Sequence, residues 1–229
     1  NLNPGAYEIT EVTAPEGYVK YPKPITLNVP ATVNGQADVN VTFTFPNMPK
    51  PKLQVIKFDE KTGKPLKDAQ FRIMNNENMA TPIAEGKTDE EGTFTSDLVD
   101  FGTYTIEEIN PPPGYTYSDK TPRKRTIVLN QEKYAGKTVQ VKFDNIKLPT
   151  LVIEKTDAST GKGVPGTRYT VEHRRNGAWY MLGNGFTTDK DGRIVLPNVE
   201  PGDYRITETE PAQGMTIGTV NSWIIHLAP

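Results

Sequence analysis

No cysteine occurs in the 229 residues. Disulfides, thiolate catalysis and cysteine-based zinc sites are therefore excluded together. Long apolar runs are missing too, since none approaches the roughly 18 residues that a membrane helix needs. No signal peptide is recognisable, so a secreted protein is expected to be mature or a fragment. The net charge of −2 gives no basic stripe for a nucleic-acid partner. Histidine is scarce: His173 and His226 are far apart, lack metal-ligand spacing and are expected in structural roles, exposed or half-buried. No Ser-His-Asp pattern, phosphate-binding glycine loop or metal cluster stands out. Turnover of an external substrate is not expected, and neither is a metal or other cofactor. The acidic turns at Asp59-Glu60 and Asp89-Glu90-Glu91 match no dense calcium loop and read as solvated turn residues.

What is present is punctuation. Twenty prolines and nineteen glycines leave little room for a long helix. Short β-branched and aromatic runs lie between them, which is the pattern of a sandwich or barrel. Hydrophobic content of 35% and charged content of 24% fit a globular chain.

An internal repeat organises these runs. The frame Gly-x-Tyr-x-Ile-x-Glu followed by a proline-rich turn occurs at 4–18, 101–115 and 201–215. Tyr7, Tyr104 and Tyr204 are spaced by 97 and 100 residues. A lysine strand occurs at Leu53 and again at Leu151, with Lys57 and Lys155 98 residues apart. A strand closing on asparagine also occurs twice, with Asn47 and Asn145 again 98 apart. These landmarks predict a complete module at 51–149, the C-terminal part of a module at 1–50, and at 150–229 a module lacking its last strand. Strands are expected near 52–59, 69–75, 93–96, 102–109, 124–129, 137–145 and 219–227. Turns fall at Thr62-Gly63-Lys64-Pro65, Asp89-Glu90-Glu91-Gly92 and Pro111-Pro112-Pro113-Gly114. The joints Asn47–Pro51 and Asn145–Pro149 are short and proline-containing, so a semi-rigid array is expected.

Side chains alternate faces along a strand, so parity shows which residues point inward together. Leu53, Val55 and Lys57 share a face, as do Leu151, Ile153 and Lys155. Tyr104, Ile106 and Glu108 align, and so do Tyr7, Ile9 and Glu11, and Tyr204, Ile206 and Glu208. Val139, Val141, Phe143 and Asn145 align, as do Val41, Phe43, Phe45 and Asn47. Glu107 has the outward parity. Each strand thus carries one polar group on its apolar side, at a cost of several kcal/mol for a lone buried charge. Three strands doing so implies that the groups meet. Burial disfavours charge, lowering a lysine pKa and raising that of a glutamic acid. A neutral amine is a nucleophile, and a protonated carboxyl polarises an amide carbonyl and passes protons to departing ammonia. The product is a Lys–Asn isopeptide bond. The other reading of the same residues is a Lys–Glu pair capped by an asparagine amide, with no covalent chemistry.

The run from Val55 to Leu66, the Tyr104–Tyr115 segment and the closing Asn145 before a proline linker resemble the collagen-adhesin B-type (CnaB-like) modules of Gram-positive surface proteins and sortase-assembled pilins. The resemblance covers 51–149 in full and both flanks in part. It implies an all-β fold of tandem immunoglobulin-like (CnaB-type) β-sandwich modules with autocatalytic internal cross-links. Carried over, Lys57 is the amine donor, Asn145 the acceptor and Glu108 the catalytic acid. Glu11 and Asn47 match the acid and acceptor of the first module, and Lys155 and Glu208 the donor and acid of the third. No closing asparagine follows Lys155, because Asn221 lies on the wrong strand, so one bond is expected in this chain. The implied role is a cell-surface stalk or pilus shaft, extracellular and anchored to the cell wall or part of a pilus. Neighbouring modules are its expected partners, with sortase and host matrix proteins as further ones. The alternatives are an adhesin module gripping a host ligand and a sortase-polymerised pilin backbone. Tyr21-Pro22-Lys23 resembles the pilin Tyr-Pro-Lys motif, but Pro24 replaces the following asparagine, so Lys23 reads as an ordinary exposed loop residue. Leu148-Pro149-Thr150 lacks the glycine of a sorting signal and reads as linker. Trp179, Tyr180 and Met181 are expected in core or hairpin packing rather than in a ligand patch.

Overall fold

The computed structural model describes residues 2–29 and 44–228. Among these, one short helix, α1 (Gln131–Tyr134), interrupts an otherwise β chain. The strands that precede it are β1 (Gly5–Ile9), β2 (Tyr18–Val19), β3 (Ile25–Val29), β4 (Met48–Pro49), β5 (Lys52–Asp59), β6 (Gln70–Asn75), β7 (Ala84–Lys87), β8 (Thr93–Leu98), β9 (Gly102–Asn110), β10 (Tyr115–Tyr117) and β11 (Lys124–Leu129). After it come β12 (Thr138–Lys147), β13 (Leu151–Glu154), β14 (Arg168–Arg175), β15 (Ala178–Thr187), β16 (Arg193–Leu196), β17 (Gly202–Glu210) and β18 (Ser222–Leu227). Val41 and Phe43, expected on the strand before Asn47, lie outside the described residues.

The chain divides into two compact units. The first comprises 1–58, 64–110 and 120–143, and the second 59–63, 111–119 and 144–229. These cuts differ from those of the sequence repeat.

In the first unit, period-two patterning builds a sandwich. One four-stranded sheet has the order β11-β9-β6-β7; a second has the order β10-β12-β5-β8, its β10 end belonging to the second unit. Between the sheets lie Leu53 and Val55 of β5, Phe71 and Ile73 of β6, Tyr104 and Ile106 of β9, and Val139, Val141 and Phe143 of β12. Phe71 and Phe143 meet edge to face at 5.0 Å. Burying each such side chain contributes about 1.5–3 kcal/mol. The same unit holds the pairings β1–β3 and β2–β4.

In the second unit β15-β14-β17-β18 form one sheet and β13-β16 another. Leu151, Ile153, Tyr169, Val171, Ile194, Val199, Tyr204 and Ile206 form its core.

The Gly-x-Tyr frame has a local cause in each copy. The Tyr7, Tyr104 and Tyr204 hydroxyls donate to the carbonyls of Asn3, Asp100 and Glu200, at 2.8, 2.8 and 2.6 Å. Each tyrosine thereby pins the chain that enters its strand, as in the corner of immunoglobulin-like sandwiches.

Two expectations shift, and one strand has no counterpart among them. The strand expected to end at Asn145 continues to Lys147, because Ile146 and Lys147 pair with Thr116 and Tyr115 of β10. That part of the expected joint is therefore sheet. The last strand begins at Ser222 rather than near 219. Strand β7 reads Ala-Glu-Gly-Lys, with no β-branched or aromatic residue to announce it.

Candidate functional site

Alternation on β5 turns Leu53, Val55 and Lys57 inward, all at 0% exposure. On β9 it turns Tyr104, Ile106 and Glu108 inward. The two polar ends meet: Lys57 Nζ lies 3.0 Å from Glu108 Oε2, with side-chain exposures of 0% and 2%. The Phe71 ring centroid is 6.0 Å from the same nitrogen. Glu107 points the other way, into ion pairs with Arg72 at 2.6 Å and Lys124 at 3.2 Å.

The turn Asp89–Gly92 holds the Lys57 backbone. Lys57 N–H donates to the Gly92 carbonyl at 2.7 Å, and the Lys57 carbonyl accepts from Leu66 N–H at 3.0 Å. Gly92 has φ +71°, and a Cβ there would collide with the Lys57 carbonyl. Glycine is required on both counts.

Asn145 lies on β12, fully buried, opposite Tyr117 of β10. Its backbone carbonyl accepts from Glu60 N–H at 2.9 Å.

The flanking copies hold related pairs. In the first unit Asn47 Nδ2 donates to Glu11 Oε1 at 2.7 Å, and Tyr21 N–H donates to Glu11 Oε2 at 2.7 Å. The Asn47 amide, then the Tyr21 amide, hold the Glu11 carboxyl below the usual range. In the second unit Lys155 Nζ lies 2.8 Å from Glu208 Oε2, with exposures of 24% and 2%. The Tyr169 hydroxyl sits 3.5 Å from the same oxygen. Burial, reinforced by Glu208, pushes Tyr169 up to about 12.

The structure thus brings together Lys57 with Glu108, Glu11 with Asn47, and Lys155 with Glu208. Asn221 precedes β18 and meets Glu208 through its backbone, its carbonyl accepting from Glu208 N–H at 2.7 Å. Lys23 is exposed, beside a small hollow of about 160 Å³ that Tyr21, Pro22 and Met48 also line. Sequence reasoning missed the contacts that Tyr21, in the loop between β2 and β3, and Tyr169, on β14, make with the acids, for which neither carries a local signal.

Among the other residues weighed, His173 and Asp59 depart from expectation, whereas His226 and Trp179 do not. His173 is buried, at 5% exposure, stacked on Tyr204 at 4.6 Å and accepting from Arg175 Nε at 3.2 Å. Inward parity on β14 puts it there, and the tyrosine face makes it tolerable. His226 is exposed and lies 2.8 Å from an Asp203 oxygen. Asp59 is not a solvated turn residue: it is 4% exposed and accepts from the amides of Lys61 and Thr62 at 3.0 and 2.7 Å. Glu60 accepts from the Ser118 hydroxyl at 2.6 Å. Among the described residues no group of three or more His, Asp or Glu is placed to hold a metal. Trp179 packs on the β14–β15 hairpin with the Arg205 and Arg174 guanidiniums 4.9 and 5.8 Å from its ring. Tyr180 and Met181 beside it are exposed.

The sequence profile of the SpaA prealbumin-like fold domain matches residues 1–44, 51–146 and 149–227. Serine-aspartate repeat-containing protein D of Staphylococcus aureus (strain Newman) is 25% identical over 166 residues, 65% of this chain. The chain spans 12% of the length of that relative. The shaft pilin SpaA of Lactobacillus rhamnosus GG superposes with a TM-score of 0.50 at 18% identity, over 78% of this chain and 93% of its own. A streptococcal ancillary pilin aligns with 100% of this chain and 72% of its own, at 18% identity and a TM-score of 0.44.

Proposed function

The chain belongs to the family of SpaA prealbumin-like fold domains, and from that premise we propose that it is a structural stalk or shaft segment of a Gram-positive surface adhesin or pilin. Its modules are 1–50, 51–149 and 150–229, and the middle one is closed by a covalent bond between Lys57 and Asn145. The part is mechanical: it spaces or bears an adhesive region at the cell wall or in a pilus, and it turns over no separate substrate. Neighbouring modules of the same surface protein are its partners.

The observation that carries the bond is the Lys57–Glu108 pair, 3.0 Å apart and almost without exposed surface. Asn145 supports it from β12, which neighbours β5 in one sheet. In the reaction, the neutral Lys57 amine attacks the Asn145 side-chain carbonyl carbon, and the new C–N bond replaces the one to the amide nitrogen. Glu108 passes the amine's proton to that nitrogen, which leaves as ammonia. Enforced proximity lowers the barrier by about 7–11 kcal/mol. The role assigned to Glu108 is single-turnover.

Intact-mass measurement tests the bond. The chain is expected to weigh one ammonia less than its sequence requires, and Lys57→Ala or Asn145→Ala to restore the full mass. A full mass in the wild-type chain removes the proposal.

The exposed Tyr180, Met181 and Leu182 on β15 favour a second reading, a module that grips a host matrix protein. A solid-phase binding screen against matrix proteins decides it: retention lost on Tyr180→Ser with Met181→Ser supports a ligand face, and no retention leaves the stalk. Polymerisation by sortase through Lys23 is a third use, tested by mass analysis of assembled polymers.

A further inference from the structure

The two joints between repeats are built alike, and each lies inside one of the two compact units. The proline-rich turns that reach them share one conformation. Tyr18 N–H donates to the Pro15 carbonyl and Tyr115 N–H to the Pro112 carbonyl, both at 3.1 Å. Gly17 and Gly114 sit at φ +80° and +81°, as the second central residue of a type II turn must. Their carbonyls face the joint: Gly17 accepts from Lys50 N–H and Gly114 from Leu148 N–H, both at 2.8 Å. The next carbonyl along the joint is bonded to the following repeat. Pro51 accepts from Val99 N–H at 2.9 Å and Pro149 from Val199 N–H at 3.1 Å. Val99 and Val199 are buried, and each precedes the carbonyl that a tyrosine hydroxyl holds, Asp100 or Glu200. The turn glycine also abuts the residue before each valine. A Cβ on Gly17 would lie 3.6 Å from Leu98 Cδ1, and one on Gly114 3.2 Å from Asn198 Oδ1. Equivalent side chains differ, Lys50 with Leu148 and Leu98 with Asn198, yet the same two backbone bonds are kept. A linker that only tethered two modules would leave those groups to water.

We propose that each of these proline-rich turns is a docking surface for the tyrosine corner of the module that follows, and that the joint between them is a clasp through which the two modules open together. The partner is thus the next module of the same chain. It is recognised through backbone groups: a turn glycine carbonyl on one side, and a buried valine amide ahead of a tyrosine corner on the other. The first joint adds an ion pair across the same contact, Lys50 Nζ to Asp100 at 2.8 Å. Pull along the chain then loads the hydrogen bonds of the joint before it reaches either core. The division of the compact units has a cause in this. Residues 111–119 and 144–149 close the middle module in the repeat, yet they group with the module after them. This rests on the module boundaries proposed above and not on the Lys57–Asn145 bond.

The test is amide hydrogen exchange on the whole chain, read residue by residue by NMR. Lys50 and Leu148 N–H are expected to exchange at least about tenfold more slowly than in an unstructured chain. Two variants then disturb the second joint from opposite sides. Tyr204→Phe removes the hydroxyl that holds the Glu200 carbonyl in the following module. It is expected to speed Leu148 exchange by about three- to tenfold, as for the loss of one hydrogen bond. Gly114→Ala strains the turn of the preceding module and is expected to speed Val199 exchange in the same direction, because coupling between two sites is reciprocal. That variant leaves the third module's own sequence unaltered, so a damaged third module does not account for a rise at Val199. Lys50, in the other joint, is expected to keep its wild-type rate in both. Unstructured-chain rates at Lys50 and Leu148 in the wild-type chain overturn the inference without any variant. Wild-type rates at Leu148 in Tyr204→Phe and at Val199 in Gly114→Ala overturn the coupling. Intact mass reports the Lys57–Asn145 bond separately, so the two proposals fail independently.

Discussion

A lysine side chain with no exposed surface requires a polar partner, and Lys57 has Glu108 at 3.0 Å. Removing one member of a buried pair costs about 3–5 kcal/mol, because the other charge is stranded. Glu108→Gln is therefore expected to leave Lys57 and Asn145 unlinked, with a full intact mass, in a module that still folds at reduced stability. Cross-linking at the wild-type level in that variant contradicts the role assigned to Glu108. These inward positions were legible because a period of two survives uninterrupted along β5, β9 and β12. Lys155 was legible only as a position on a face. Its exposure of 24% depends on neighbouring elements that no single strand reveals. His173 was hidden for a different reason, since its burial depends on the Tyr204 ring from another strand. A second residue-scale expectation concerns acid. Asp157 is held at about 2 by the Ser159 hydroxyl and then the Thr160 and Ser159 amides. Its folded value lies below the unfolded 3.8, so its contribution is full above about pH 4 and is lost as pH falls through about 2. Thermal unfolding is expected to weaken across that window, and Asp157→Asn to flatten the slope. An unchanged slope in the variant contradicts the assignment.

At the scale of elements, the turns are as specific as the strands. Asp89–Gly92 and Asp189–Gly192 carry glycines at φ +71° and +78°, and a Cβ at either would strike the carbonyl of Lys57 or Lys155 respectively. Gly92→Ala meets both the left-handed cost of about 1–2 kcal/mol and that clash. It is expected to lower unfolding stability by about 2 kcal/mol or more and to reduce the cross-linked fraction. Denaturant titration with mass analysis checks both effects, and wild-type behaviour contradicts the claim that this turn sets the lysine strand. The sequence marked 89–92 as a turn through its acidic run and glycine, but not what the turn touches. Short strands were the least legible. Strand β10 follows the proline turn and exists because β12 offers it a partner, while β7 has no strand-forming composition at all. The helix α1 escaped as well, though Asn130 caps it by accepting from Lys133 N–H at 3.0 Å.

At the scale of the whole molecule, the fold class was the most legible feature. Prolines and glycines at regular intervals, with a repeat near a hundred residues, leave few architectures other than a series of β-sandwiches. The function assigned to that series is resistance to unfolding. The proposed bond from Lys57 to Asn145 would close nearly a whole module, and by analogy with disulfides would stabilise it by about 4–5 kcal/mol. Asn145→Ala is accordingly expected to lower the unfolding temperature of the middle module by about 20 °C and to expose it to proteolysis. Calorimetry that finds this transition unmoved contradicts a mechanical role for the bond. In the proposed stalk the flanking pairs, Glu11 with Asn47 and Lys155 with Glu208, repeat parts of the arrangement around Lys57.

The most direct measurement is peptide mapping of the untreated chain after trypsin. The expected result is a branched peptide uniting the segments of Lys57 and Asn145, lighter by one ammonia, with no cleavage after Lys57. Recovery of a linear peptide ending at Lys57, together with an unmodified peptide containing Asn145, contradicts the account.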